Sequence, residues 1–142
     1  MTRIRLAQAN TIIDAAFAKG RELALKPLSV AILDPGGHLI AFQRQDGSST
    51  LRPQIAAGKA GGALALGVSS RAIAGMAAER PTFIAALGPI APLGIVPAAG
   101  GIIVQDEAGN VLGAVGVTGD TSDNDEVCAL AGVEAAGLTA AG

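Results

Sequence analysis

Apolar residues near the start of the chain recur at helical spacing. Ile4, Ala7, Ala9, Ile12, Ile13, Ala16, Phe17 and Leu23 follow a 3.6-residue period, and Arg5, Asn10, Asp14, Lys19 and Arg21 fall between them. The pattern predicts a helix capped by Thr2, starting near Arg3 and ended at Lys26 by Pro27, because a residue before proline avoids the α region. The period then changes. Leu28-Ser-Val-Ala-Ile-Leu33 and His38-Leu-Ile-Ala-Phe-Gln43 read as strands, and Asp34-Pro-Gly-Gly37 between them has the residues of a tight turn. Together they predict a β-hairpin, followed by the polar loop Arg44-Gln-Asp-Gly-Ser-Ser49.

Helical signals return in the middle of the chain. Pro53 suits the first turn of a helix running from about Arg52 to Gly67. Its interior, Ile55-Ala-Ala-Gly-Lys-Ala-Gly-Gly-Ala-Leu-Ala-Leu66, is almost all small. Gly58, Gly61 and Gly62 each cost about 1 kcal/mol of helix propensity relative to alanine, so close packing must offset them. Ser69 or Ser70 caps a second helix through Ala78, and Pro81 to Leu87 makes a short third. Residues 88–101 carry Pro89, Pro92 and Pro97 without a period and read as a long ordered loop or lid. Ile102-Ile-Val-Gln-Asp106 and Val111-Leu-Gly-Ala-Val-Gly-Val117 form a second hairpin around Glu107-Ala-Gly-Asn110. Asp123-Asn-Asp-Glu126 fits a capping box, with Asp123 as cap of a C-terminal helix to about Ala136. This order describes an α+β domain: an antiparallel β-sheet built from two hairpins, flanked by N-terminal, central and C-terminal helices. No linker divides the chain, so residues 1–142 read as one domain.

Composition narrows the function classes. Half of the residues are hydrophobic and only 15% are charged, which is too apolar for a disordered chain. No apolar run reaches the roughly 18–20 residues that span a bilayer, and Met1-Thr-Arg-Ile-Arg-Leu lacks the layout of a signal peptide. A cytoplasmic protein is the expectation. The net charge is −2, with no basic block, three Phe, no Tyr and no Trp. Both signatures of a nucleic-acid surface, clustered cations and stacking aromatics, are therefore missing. The single cysteine, Cys128, has no intrachain disulfide partner, and one histidine does not make a His/Cys zinc cluster. The surplus of Ala, Gly and aliphatic residues points to surface buried against copies of the same chain.

Three segments carry a family resemblance. They are Val30-Ala-Ile-Leu-Asp-Pro-Gly-Gly-His-Leu-Ile-Ala-Phe-Gln-Arg-Gln-Asp-Gly47, the helical Ala56-Ala-Gly-Lys-Ala60, and Gly100-Gly101 followed by Gly113-Ala-Val-Gly-Val-Thr-Gly-Asp-Thr-Ser-Asp-Asn-Asp-Glu126 and Ala129-Leu-Ala-Gly132. In that order they resemble the GlcG/HbpS-like (DUF336) family over nearly the whole chain. That family includes a heme-binding protein of a redox-sensing system, the C-terminal domain of PduO-type proteins and a protein encoded with glycolate oxidation. The resemblance implies an α+β fold around an antiparallel sheet. It also implies homo-oligomers, from tetramer to octamer, and, for some members, binding of heme or related tetrapyrroles. Function still has to be argued from the site, because one fold hosts several roles.

Lys59 is the most informative residue. Its helical neighbours Ile55, Ala56, Gly62 and Ala63 are apolar or small, so its ammonium either snorkels outward or enters a cavity. In a cavity it binds a carboxylate, such as a heme propionate or a small hydroxy acid, or transfers protons after its pKa falls. The plainer alternative is a structural ion pair with Asp120, Asp123 or Glu126. Gly116-Val-Thr-Gly-Asp-Thr-Ser122 feeds backbone N–H groups toward a helix start, but its carboxylates already complement the helix dipole and argue against a phosphate cradle. The plainer reading of the segment is a tight turn with capping; otherwise Thr118 and Gly119 make a pocket wall, with Thr118 as a hydrogen-bond donor. Arg44 and Arg52 sit where both can face one pocket rim, bordered by Gly100 and Gly101, although arginines so placed are more often surface or subunit-interface charges. Arg71 is a further cation that can meet an acid or stay on the surface. No metal site is expected; His38, Asp120 and Asp123 are only weak candidates, His38 because it follows a Gly-Gly turn and the acids because capping explains them.

The leading expectation is therefore an oligomeric small-ligand-binding protein. Its pocket would lie between the Lys59 helix, the 88–101 loop and the Gly116–Ser122 turn, and would hold heme or another carboxylated ligand, with no nucleic acid or membrane partner. The alternative is a cofactor-independent isomerase, lyase or proton-transfer enzyme acting on a small organic acid in a catabolic pathway. Lys59 would be its acid/base or electrostatic group, and the Thr118-Gly119 backbone would polarise a carbonyl.

Overall fold

The two hairpins meet edge to edge and the sheet closes on a short final strand. A computed structural model describes residues 2–141, with α1 Leu6–Glu22, β1 Ser29–Leu33, β2 Leu39–Arg44, α2 Arg52–Leu66, α3 Ser70–Glu79, α4 Pro81–Leu87, β3 Gly101–Gln105, β4 Val111–Thr118, α5 Ser122–Ala135 and β5 Thr139–Ala140. The strand order is β2-β1-β4-β3-β5, antiparallel throughout. β1 and β4 join the hairpins, with Ser29 opposite Thr118 and Leu33 opposite Ala114.

Alternation along the strands gives the sheet two unlike faces. One presents Val30, Ile32, Ile102, Val104, Val115 and Val117, which pack with Ile12, Ile13, Ala16 and Phe17 of α1 and Cys128, Ala129 and Val133 of α5. Each such aliphatic contributes about 1.5–3 kcal/mol on burial, so this face carries the main core. α1 and α5 cross closely there: a methyl on Gly132 would stand 2.6 Å from the Ile12 carbonyl oxygen. The other face is built from small residues. On it, a methyl at Gly116 would overlap the Ala56 carbonyl oxygen, and one at Gly101 the Lys59 carbonyl oxygen. The backbone of α2 therefore lies directly on the sheet. Its outer side is covered by the loop after α4, where Gly58 approaches Val96 and Gly61 approaches Leu93. The glycines that weaken α2 as an isolated helix are thus what let it fit between sheet and loop.

Three boundaries differ from the sequence expectation. α1 begins at Leu6, with Arg5 as cap and Gln8 accepting from the Arg5 N–H at 2.9 Å, rather than near Arg3 with Thr2 as cap. The reason is Ile4, which is fully buried and donates its N–H to Leu112 O at 2.9 Å as an extension of the sheet. α1 also ends four residues before Lys26. Leu25 N–H bonds Gly20 O and Ala24 N–H bonds Arg21 O, the paired bonds of a Schellman motif, with Ala24 at φ 56°. The last helix is capped by Thr121, whose hydroxyl accepts from Asn124 N–H at 3.3 Å, not by Asp123. β5 has only two residues, too few to leave a periodic signal. Met1 and Gly142, the ends of the expected domain, lie outside the described residues.

The left-handed Ala24 gives a first prediction. An L-residue there costs about 1 kcal/mol that glycine avoids. Ala24→Gly is expected to raise the melting temperature by about 3 °C, read by circular dichroism; a lower melting temperature would contradict the strain assigned to this turn.

Candidate functional site

The start of α2 lies over one end of the small-residue face, and most of the polar candidates meet there. Lys59 is 3% exposed. Its Nζ donates to Asp125 Oδ2 at 3.1 Å and to Val117 O at 3.0 Å. Asp125 is equally buried, and its other oxygen accepts from Asp120 N–H at 2.9 Å. One ion pair therefore ties α2, β4, the turn after β4 and α5 together. Burial pulls the Lys59 pKa below its ordinary value; the charge and hydrogen bond of Asp125 oppose that, and the nearby charge of Arg52 adds to it.

Asp125 was among the acidic residues of the sequence, but the expected partners were Asp120, Asp123 or Glu126. Each of those is engaged elsewhere. Asp120 accepts from Asn124 Nδ2 at 2.8 Å and from Lys26 N–H at 3.0 Å, bonds that hold its pKa down at about 2. Asp123 and Glu126 both bind Arg71. Asp125 is inward because it shares the helical stripe Asp125, Cys128, Ala129, Gly132, Val133. That spacing was readable: an acid on an apolar stripe needs a cation, and Lys59 is the acid's counterpart on α2.

The remaining polar candidates form a row. Arg44, Ser29 and Thr118 are direct cross-strand neighbours on β2, β1 and β4, all on the face that α2 covers. Arg52, the first residue of α2, donates from its NH1 to Thr118 Oγ1 at 2.7 Å. Thr118 and Ser29 are buried, Arg52 is half-buried and Arg44 is exposed. Among the described residues, no carboxylate lies within ion-pairing distance of Arg52 or Arg44. Ser29 Oγ is buried with no hydrogen-bond partner. Sequence reading missed Ser29, since a serine inside an apolar strand gives no periodic signal of its own.

Other candidates sit apart from this row or serve packing. Gly119, at φ 147°, lies against the Pro27 carbonyl, and Gly100 and Gly101 lie against Lys59. Lys59 meets the row only through the Val117 carbonyl beside Thr118, because its ammonium is held by Asp125 and that carbonyl. His38 is on the β1–β2 turn, with its ring 82% exposed and Nδ1 3.2 Å from Asp34 Oδ1. Beside that turn, Gly36, Gly37, Gly61, Leu64 and Leu93 line a groove of about 200 Å³. Arg52 and Leu64 are about 18 Å apart along α2, so groove and row are separate places. A second depression, of about 490 Å³, is lined by Arg71, Pro97, Ala99 and Asp123. Burial pushes the Cys128 thiol up to about 11, which suits a core residue rather than a nucleophile or ligand. Among the described residues, no three His, Cys, Asp or Glu side chains converge on a metal-sized point, and no helix is long and apolar enough to cross a membrane.

The fold is shared with solved proteins. The PduOC:heme complex superposes with a TM-score of 0.85 at 18% identity, covering 96% of this chain and 97% of that one. Klebsiella pneumoniae protein ORFY gives 0.86 at 24% identity, covering 96% and 92%. A double mutant of Streptomyces reticuli HbpS gives 0.80 at 27% identity, covering 94% and 87%. No curated protein sequence matches the chain at a significant level. The family model described as haem degrading protein HbpS-like matches residues 4–134, and the chain belongs to that family.

Proposed function

We propose that the protein is an oligomeric binding protein for heme or a related small carboxylated ligand, and that the ligand's acidic group docks at Arg52 and Thr118. One observation carries this reading. Arg52 is a half-buried cation at the positive end of a helix, with no carboxylate of its own among the described residues; the nearby Lys59 is already paired with Asp125. A cation so placed is unfavourable until an anion joins it. The solved heme complex of a protein with the same fold supports heme as the ligand to test first.

The residues fit such a ligand as one wall rather than as a closed pocket. A bound small molecule usually occupies about 300–1,000 Å³ and is mostly enclosed. The apolar groove near His38 is smaller than that, and it lies at the far end of α2. Next to Arg52, Leu51 is 61% exposed and offers apolar surface to a ring face. A tetrapyrrole anchored at Arg52 is therefore completed by a second protomer, which agrees with the expected homo-oligomer. His38, exposed on the β1–β2 turn beside Asp34, is not part of this row. When bound, heme would supply the redox and ligand-binding chemistry; Arg52 and Thr118 hold and orient its acid arm.

Hemin titration tests the reading. The expected result is a saturating Soret shift at a fixed ratio of hemin to protomer. A featureless, non-saturating spectrum would sink it.

A further inference from the structure

We infer that Ser29 is a ligand-binding residue, and that Ser29, Thr118 and Arg52 make a subsite for a single carboxylate. The inference rests on the reading above and adds the residue and the class of headgroup. Ser29 Oγ is fully buried and unpartnered, although a buried hydroxyl without a hydrogen bond is costly. It stands directly across the ladder from Thr118, which accepts from Arg52. The corner is therefore rich in donors. Ser29 has its hydroxyl hydrogen to give. Thr118, already accepting from Arg52, keeps its own. A guanidinium carries five N–H groups and accepts nothing. The group that satisfies all of them is an acceptor-only oxyanion.

Charge and geometry select a carboxylate over a phosphate. Asp125 neutralises Lys59 through the buried pair, which leaves Arg52 as the inner charge and Arg44 at the exposed rim. Only Arg52 stands at the buried end of the row, so a flat monoanion there meets a single guanidinium. Directly opposed side chains on a sheet stand about 4.5–5.5 Å apart at Cβ, so the two hydroxyls can address a flat carboxylate whose other edge meets the Arg52 fork. Because Ser29 and Thr118 are covered, entry requires Arg52 to swing off Thr118 and close again on the acid. Arg52 then acts as both gate and counter-ion.

The test compares wild type with Ser29→Ala. Thermal unfolding is followed by circular dichroism in acetate, phosphate and chloride at matched ionic strength, and each protein is titrated with hemin and hemin dimethyl ester. Wild type is expected to gain melting temperature in acetate beyond that in phosphate or chloride. Ser29→Ala is expected to melt at or above wild type in chloride, since it loses only an unpaired hydroxyl, and to lose the acetate gain. Its affinity for hemin should fall about tenfold, as for a hydrogen bond to a charged group, with no change toward the ester. A lower melting temperature for Ser29→Ala in chloride would show the hydroxyl to be structurally satisfied and overturn the inference. So would an equal acetate gain in both proteins, or a gain in phosphate but not in acetate. Hemin bound more tightly than its ester, with no Ser29-dependent effect on hemin or acetate, overturns the subsite and leaves the heme reading standing. A Ser29-dependent acetate gain without hemin binding does the reverse.

Discussion

Lys59→Met is expected to lose about 3–5 kcal/mol of stability, enough to remove most of the margin of a domain of this size. The substitution keeps the length and apolar stem of the side chain but leaves the Asp125 carboxylate buried. Its remaining bond is from Asp120 N–H, and Val117 O also loses its donor. The prediction is specific to the pair. Asp125→Leu combined with Lys59→Met removes the orphaned charge, so the double variant should recover a large part of what either single variant loses. With no Trp or Tyr in the chain, the measurement is urea unfolding followed by far-ultraviolet circular dichroism. Additive losses in the double variant would mean that the two groups do not act as a pair.

Gly116→Val should be as damaging for a different reason. Even a methyl at this position overlaps the Ala56 carbonyl oxygen and comes within 3.0 Å of Ala60 N. These are backbone atoms of α2, so no side-chain rotation relieves the clash. α2 must lift from the sheet, at a cost at or above the usual 1–3 kcal/mol or so for overpacking. The same shift would draw Arg52 away from Thr118. The expected outcome is insoluble protein, or a soluble protein with a broad transition at much lower temperature. A cooperative transition near that of wild type would show that α2 does not press on β4 as described.

These two positions show how much of the molecule is legible in its sequence. The element order follows from periodicity, Pro and Gly punctuation, and the turn residues of two hairpins. The close approach of α2 was foreshadowed by its three glycines, because their cost to an isolated helix needs an offset. Tertiary demands hid the boundaries. Ile4 is drawn onto the sheet rather than into α1, and a Schellman turn at Ala24 ends α1 before Pro27 has any effect. The site was legible in part. Arg44, Arg52 and Thr118 were singled out separately, and cross-strand register brings them into one row. Lys59 stands out in the sequence as a cation on a small, apolar helix face, and its partner Asp125 lies on the apolar stripe of α5, whose spacing is legible but does not by itself join the two helices. Ser29 carried no signal, because only the register of β1 against β4 reveals an unpaired hydroxyl beside Thr118.

The central claim is that an acid group binds at the start of α2, and hemin titration of wild type beside Arg52→Gln tests it most directly. Arg52 is half-buried and forms no ion pair among the described residues, so its replacement should leave folding intact. The predicted result is saturating binding by wild type and at least about tenfold weaker binding by the variant, the loss expected for a charge-assisted bond. Equal affinity in two equally folded proteins would contradict the account.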